Sequence, residues 1–159
     1  MTGNVHPTAI IDPGAQIGAG VEIGPWVIVG EQVTIGDRCR IGPRARLERN
    51  VRLADGVSVG DGSILGGAPQ DLKYKGEETW VEIGQDTIIR EYSTIIRGTS
   101  QSFRTTVGER CFIMSYVHLA HDCHIGNEVV IANATQFAGH VTVHDRAVPS
   151  GLNAVHQFV

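Results

Sequence analysis

The sequence has few cysteines, no excess of positive charge and no long apolar run. Three cysteines, an odd number without paired spacing, favour a reducing compartment over a disulfide framework. The formal net charge of -4 argues against nucleic acid as a main partner. No stretch approaches the ~18 consecutive apolar residues of a membrane span, and the first residues lack the basic and apolar regions of a signal peptide. We therefore expect a soluble, cytoplasmic protein without a membrane span.

Glycine, by contrast, is abundant, and its spacing reveals an internal repeat. The chain contains 20 glycines in 159 residues, roughly twice the usual share of ~7%, yet it has no glycine-rich tract. From Val5 to Gly66 the sequence divides into hexads whose first residue is Val, Ile or Leu, whose second is often Gly and whose fifth is small. The same frame resumes at Ile83 and at Val107. A repeat of fixed period predicts a solenoid.

A period of six residues suits one short strand followed by one corner. Positions one and five would point inward, positions three and four would form the outer turn, and glycine at position two would allow a tight backbone. Three hexads would close one triangular coil of about 18 residues. The pattern predicts an all-β fold, a parallel β-helix shaped as a triangular-prism solenoid, with one domain over residues 1–159.

Two segments interrupt the hexad frame. They are "GAPQDLKYKGEETW" at residues 67–80 and "SQSFRT" at residues 100–105. A solenoid that pauses for a polar loop often places that loop on a working face. We therefore expect two protruding loops close to a functional site.

The frame also interprets the histidine-rich stretch "SYVHLAHDCHIGN" at residues 115–127. Cys123, like Cys39 and Cys111, falls at position five, so all three cysteines are predicted core fillers and not a redox or metal set. His121 and Asp122 fall at positions three and four, where we expect exposed side chains. Residues one coil apart should be neighbours, which predicts one cluster: His118, His121, Asp122, Gly139, His140, His156 and Gln157.

These residue types together suit base chemistry on a hydroxyl. A neutral imidazole beside a carboxylate can accept a proton at neutral pH. The backbone N–H of Gly139, one coil away from His121, could stabilise an oxyanion. No serine or cysteine is expected to point outward at this corner, which favours direct acyl transfer to a bound hydroxyl without a covalent intermediate.

Five motifs, in this order, resemble the UDP-N-acetylglucosamine acyltransferase family: "HPTAI", "QDLKYKGE", "HLAHDCHIGN", "AGHV" and "AVHQF". The resemblance implies a left-handed parallel β-helix, a hand that the usual right-handed crossover rule would not predict. It also implies transfer of an (R)-3-hydroxyacyl chain from acyl carrier protein to the sugar 3-hydroxyl, the first step of lipid A synthesis. The family forms homotrimers with each active site between two prisms, and it needs no cofactor.

The resemblance assigns roles to individual residues. His121 would be the general base, Asp122 would support it, and the backbone of Gly139 would stabilise the oxyanion. Residues expected to bind the nucleotide sugar are Gln70, Asp71 and Lys73 in the first loop, and His118, His140, His156 and Gln157 near the base. No metal ligand is expected.

Two alternatives remain at this stage. The histidines could supply nitrogen ligands to zinc, as in a lyase of the γ-carbonic anhydrase type, but that leaves the "QDLKY" loop without a role. The chain could also be a non-catalytic trimeric scaffold, because it stops at Val159 where the family continues into a helical domain, and because Pro149 removes a backbone donor. The basic run from Arg38 to Arg52 is expected to be a solvated face, with docking of an acidic carrier protein as the other interpretation.

Overall fold

The computed structural model describes residues 3–159, which form three parallel sheets wound into a left-handed β-helix. The first sheet contains β1 (Asn4–Val5), β4 (Glu22–Ile23), β7 (Arg40–Ile41), β10 (Ser58–Val59), β13 (Ile88–Ile89), β16 (Phe112–Ile113) and β19 (Val130–Ile131). The second contains β2 (Ile10–Ile11), β5 (Ile28–Val29), β8 (Arg46–Leu47), β11 (Ile64–Gly67), β14 (Thr94–Ile96), β17 (His118–Leu119), β20 (Gln136–Phe137) and β22 (Ala154–Val155). The third contains β3 (Gln16–Ile17), β6 (Thr34–Ile35), β9 (Val51–Leu53), β12 (Trp80–Ile83), β15 (Arg104–Val107), β18 (His124–Ile125) and β21 (Thr142–Val143). The predicted fold class is confirmed.

The register between coils shows where the frame is interrupted. Ile10 pairs with Ile28, and His118 pairs with Gln136, so regular neighbours lie 18 residues apart. The spacing rises to 30 across the segment between β11 and β12, and to 24 across the segment between β14 and β15. Both segments leave the prism at the corner between the second and third sheets. Within residues 3–159 no helix has the length and hydropathy needed to cross a bilayer.

Positions one and five of the hexads build the interior, as predicted. The aliphatic side chains at position one, such as Ile35, Leu47 and Leu119, are buried. The cysteines at position five are unpaired and buried, and each lies within hydrogen-bond distance of a carbonyl one coil away, as in Cys123 Sγ to Ala138 O at 3.2 Å. Burial raises the pKa of the Cys123 thiol to about 11, so this thiol is an uncharged core filler.

The corners show a regularity that the sequence does not display. The residue at position four adopts positive φ at successive corners, including non-glycine residues such as Trp26 (62°), Tyr116 (61°) and His140 (62°). This conformation costs a non-glycine residue about 1–2 kcal/mol. Its N–H, however, donates to the preceding coil, as in His140 N to His121 O at 3.1 Å.

Glycine at position two was expected to allow a tight local turn, but the structure gives it a different role. The φ of Gly30 lies outside the left-handed region, but a Cβ there would lie 1.5 Å from Glu48 O in the next coil. Close stacking of adjacent coils, and not the local turn, excludes a side chain at Gly30.

The basic run lies in a network of surface ion pairs. Arg40 approaches Glu22 at 3.6 Å, and Arg49 approaches Glu31 at 2.9 Å. Arg52 pairs with Glu82 at 2.9 Å and lies over the Trp80 ring. Because these guanidinium groups already have carboxylate partners in neighbouring coils, the contacts favour a solvated face over a docking surface.

Candidate active site

A cleft of about 520 Å³ lies along the edge of the second sheet where β17, β20 and β22 enter their corners. The small side chains Ala120 and Ala138 are part of its lining. Further lining residues are Gln70, His118, His121, Gln136, Phe137, Gly139, Ala154, Val155 and His156. The volume falls within the range of small-molecule sites. No Ser, Thr or Cys belongs to this lining within residues 3–159.

His121 is held between Asp122 and Gly139 at this cleft. Its Nδ1 lies 2.8 Å from Asp122 Oδ2, which leaves Nε2 as the free ring nitrogen. The ring also lies directly against Gly139, where a Cβ would come within 2.5 Å of His121 Cε1. Gly139 is buried, and among residues 3–159 no acceptor is found for its backbone N–H. A base and an unpaired donor therefore meet at the cleft.

The expectation that Asp122 is exposed was wrong. Its side chain is only 1% exposed, because the segment between β14 and β15 folds over it. Thr99 and Ser102 of that segment, which the sequence analysis did not assign to the site, each donate to its carboxylate through backbone and side chain. Burial opposes ionisation, but these hydrogen bonds and that of His121 lower the pKa of Asp122 to about 2. The side chain is a carboxylate at neutral pH.

The remaining histidines take different positions. His118 lies within the cleft, its Nδ1 is 2.6 Å from Thr94 Oγ1, and burial lowers its pKa, so it is neutral at pH 7. His156 lines the cleft and is exposed. His140 does not line it: the ring stacks on Phe158 and its Nδ1 lies 3.7 Å from Asp122 Oδ2. Gln157 is exposed beside the cleft, outside its lining.

The first loop is divided between two places. Gln70 reaches the cleft of its own chain. Asp71 and Lys73 instead line a separate small cavity of about 50 Å³ with Tyr74, Glu77 and residues 99–101. The Asp71 carboxylate accepts the Lys73 N–H at 2.9 Å, which shapes the turn. Within one chain, therefore, these two residues are not brought to His121.

A zinc site was the main rival interpretation, and three donors do converge here. One ligand atom each of His121, Asp122 and His140 lies within 4.8 Å of the others. However, both Asp122 oxygens already accept hydrogen bonds from Thr99 or Ser102. A carboxylate has about four lone-pair positions, so the arrangement favours a hydrogen-bonded pair of His121 and Asp122 over a metal ligand set.

Comparison with known proteins gives consistent matches. The family model described as "Bacterial transferase hexapeptide (six repeats)" matches residues 4–37, 14–49 and 104–136. An acyl-[acyl-carrier-protein]–UDP-N-acetylglucosamine O-acyltransferase of Synechocystis sp. is 52% identical over 97 residues, which cover 61% of this chain and 35% of the relative. The corresponding protein of Verminephrobacter eiseniae is 53% identical over 96 residues, 60% of this chain and 37% of the relative.

Solved structures extend the match over almost the whole chain. The UDP-N-acetylglucosamine acyltransferase of Bacteroides fragilis superposes with a TM-score of 0.96 at 42% identity, covering 98% of this chain and 61% of the other. A structure from Acinetobacter baumannii gives a TM-score of 0.95 at 41% identity, with coverage of 97% and 60%. The chain thus spans about three fifths of these structures, and its matches span just over a third of the curated relatives. It belongs to the hexapeptide-repeat family that contains the UDP-N-acetylglucosamine acyltransferases.

Proposed function

We propose that this chain is an O-acyltransferase that moves an (R)-3-hydroxyacyl chain from acyl carrier protein to the 3-hydroxyl of UDP-N-acetylglucosamine. The names of its relatives specify both substrates of those proteins. The observation that carries the proposal is the placement of His121 at an open cleft: it is hydrogen-bonded to Asp122 at 2.8 Å and lies against Gly139, whose N–H has no acceptor among residues 3–159. This reaction would be the first step of lipid A synthesis, in the cytoplasm.

The chemistry follows from which atoms are free. Nε2 of His121 would take the proton from the sugar 3-hydroxyl, while Asp122 stabilises the resulting imidazolium. The hydroxyl oxygen attacks the thioester carbonyl, and the oxyanion lies near Gly139 N–H. Collapse breaks the C–S bond, and the imidazolium returns its proton to the leaving thiolate. Among the described residues no Ser, Thr or Cys lines the cleft, which supports direct transfer with no covalent enzyme intermediate.

The nucleotide sugar has suitable partners around the base. His118 and His156 line the cleft, and Gln70 enters it from the first loop. We assign these three to sugar and diphosphate contacts, with His140 and Gln157 at its margin. The neutral state of His118 suits hydrogen bonding to hydroxyl groups better than ion pairing with phosphate.

We further infer a homotrimer in which the first loop serves the neighbouring subunit. Asp71 and Lys73 lie away from His121 in their own chain, yet the loop presents Leu72 fully to solvent. An apolar side chain at a protruding loop tip is expected to contact another surface. This arrangement would bring Asp71 and Lys73 to the sugar bound by a second copy. Sedimentation that shows a well-behaved monomer would contradict both the trimer and the shared site.

The proposal is tested by binding and turnover on the same preparation. Isothermal titration of the 159-residue chain with UDP-N-acetylglucosamine measures the site, and mass spectrometry of the acylated sugar nucleotide measures transfer from 3-hydroxyacyl carrier protein. His121→Ala should retain sugar binding but lower turnover by at least ~10², the minimum for a lost general base. Thr142→Ala, a change at an exposed residue of the third sheet, is the control.

The outcomes separate the alternatives. If the unmutated chain shows no sugar binding and forms no product, the acyltransferase proposal is refuted and the non-catalytic scaffold is favoured. Stoichiometric zinc in the purified protein, with turnover absent, would favour the lyase. Near-wild-type turnover by His121→Ala would show that another residue is the base.

A further inference from the structure

The segment between β14 and β15 closes over the Asp122 carboxylate, which contacts His121. Asp122 Oδ1 accepts Thr99 N–H at 2.9 Å, Ser102 N–H at 3.3 Å and the Ser102 hydroxyl at 2.5 Å. Asp122 Oδ2 accepts the Thr99 hydroxyl at 2.6 Å and faces His121 Nδ1 at 2.8 Å. Two residues of one short segment thus supply four of the five donors.

The two hydroxyl groups are committed to this carboxylate. Ser102 Oγ also lies 2.9 Å from the Arg104 carbonyl, but a hydroxyl has one hydrogen, and the charged acceptor at 2.5 Å is the stronger partner. Thr99 Oγ1 accepts Gln101 N–H at 3.3 Å, which leaves its hydrogen for Asp122. Thr99 is 5% exposed, so water does not compete at this position.

The corner itself could not hold Asp122 in this way. Apart from His121 and the residues that precede β15, the described residues offer Asp122 one side-chain hydrogen bond, in which its own N–H donates to Thr105 Oγ1 of β15 at 2.9 Å. At other corners the residue at position four is usually exposed or half-buried, as Tyr116 and Glu128 are. The carboxylate is buried and saturated only because the inserted segment lies over it. Nothing in the solenoid requires that insertion.

We propose that Thr99 and Ser102 are positioning residues for the base. They fix the Asp122 carboxylate so that, of the two ring nitrogens of His121, it binds Nδ1–H and leaves Nε2 free toward the cleft. The effect on catalysis rests on the proposed function, whereas the effect on the orientation of His121 does not. A carboxylate held by four other hydrogen bonds cannot rotate away from His121, and at neutral pH it stays ionised and acts only as an acceptor toward the ring. His121 is thereby restricted to one tautomer, the one that can take a proton from a substrate hydroxyl.

The titratable groups that face His121 are few. Asp122 lies at its Nδ1 side, and the His140 ring meets it edge-on with centroids 5.0 Å apart. His118 and His156 share the cleft. Removing the Ser102 hydroxyl leaves Asp122 Oδ1 with one donor fewer, so the carboxylate is held less firmly against His121 Nδ1.

Ser102→Ala and Thr99→Val test the role of each hydroxyl, and Ser102→Thr restores one. We expect ~10- to 100-fold lower kcat in the first two, with KM for the sugar nucleotide unchanged and activity largely recovered in the third. Nitrogen-15 spectra of the histidine rings should show the Nδ1–H tautomer of His121 in the unmodified chain and a mixture in both deletions. Ser115→Ala is a matched control, because Ser115 Oγ donates to Glu91 at 2.8 Å at a different corner.

The spectra make the inference independent of turnover. An unchanged His121 tautomer and an unchanged kcat in both deletions would overturn it. So would a loss of kcat that follows a loss of folded protein and is not restored by Ser102→Thr. If the unmodified chain has no turnover but its His121 tautomer depends on Ser102, then the proposed function fails and the positioning role stands.

Discussion

Replacing Gly139 by alanine should displace the base without disturbing the fold. The added Cβ would lie 2.5 Å from His121 Cε1 and 2.8 Å from Nε2. Ordinary carbon contacts are about 3.5–4.0 Å, so the ring must move by about 1 Å. Movement on the opposite side is restricted by the 2.8 Å hydrogen bond to Asp122 and by the His140 ring.

The size of the effect follows from this displacement. A 1 Å misplacement of a reacting group costs roughly 10²-fold in rate, equivalent to about 2.7 kcal/mol of transition-state stabilisation. Gly139→Ala should therefore lower kcat/KM for acyl transfer by about two orders of magnitude. The φ of Gly139 lies outside the left-handed region, so alanine adds no backbone strain, and the free energy of unfolding should change by less than ~1 kcal/mol.

The assay combines turnover, urea unfolding and histidine ring spectra of the variant. Gly151→Ala is the matched control: Gly151 also occupies position three of its hexad, and the nearest atom to its added Cβ would be Asn133 O at 3.1 Å, with no side chain closer than 3.6 Å. That variant should keep its activity. If Gly139→Ala retains kcat/KM within threefold while the His121 signals shift, the ring is not the base. If neither changes, the close packing of these two residues is wrong.

Three further predictions concern the loop, the carboxylate and the corners. Lys73→Ala should weaken UDP-N-acetylglucosamine binding by ~10- to 100-fold in calorimetry, whereas Lys75→Ala should not; equal affinities would remove Lys73 from the site. The pKa of Asp122 falls from its usual 3.8 to about 2 on folding. The ionised side chain should therefore add about 2 kcal/mol to the free energy of unfolding above pH 4, and this stabilisation should be lost as the pH falls to 2. Urea unfolding at pH 7 and pH 3 should show roughly half of that loss, about 1 kcal/mol, and Asp122→Asn should lack it. Gly20→Ala, at φ 67° with no atom closer than 3.8 Å to the new Cβ, should destabilise the chain by about 1 kcal/mol, and Ala134→Gly, at φ 58°, should stabilise it.

The hexad frame correctly predicts those features of the fold and the site that repeat in every regular coil. It identifies the buried side chains at positions one and five, and it places His118 beside Gln136 and His121 beside Gly139. These neighbours follow from counting, because every uninterrupted coil has the same length. The same frame assigned Asp122 to solvent, since position four of a bare corner points outward.

What the frame could not predict comes from residues outside it. Thr99 and Ser102 cover Asp122 only because an insertion folds back over the corner, and no period specifies its path. The entry of Gln70 into the cleft has the same origin. The sequence does contain one signal for the contact with Asp122, an insertion with Ser and Thr residues that lies one coil before the histidines. The positive φ of position four could not be predicted for another reason. Residues such as Trp26 and Arg38 occupy this position, whereas a repeated glycine would have indicated a left-handed backbone.

The polar groups inside the prism have a consequence for the spacing of its coils. Ser63 donates to Arg90 O, Ser93 to Met114 O and Thr135 to Ser150 O, each at 2.8–3.0 Å across a coil boundary. A coil that moved away from its neighbour would leave such a hydroxyl unpaired in an aliphatic interior, at a cost of about 1–3 kcal/mol each. These hydroxyl groups therefore link adjacent coils from within the core, and they stabilise the close stacking that holds His121 against Gly139.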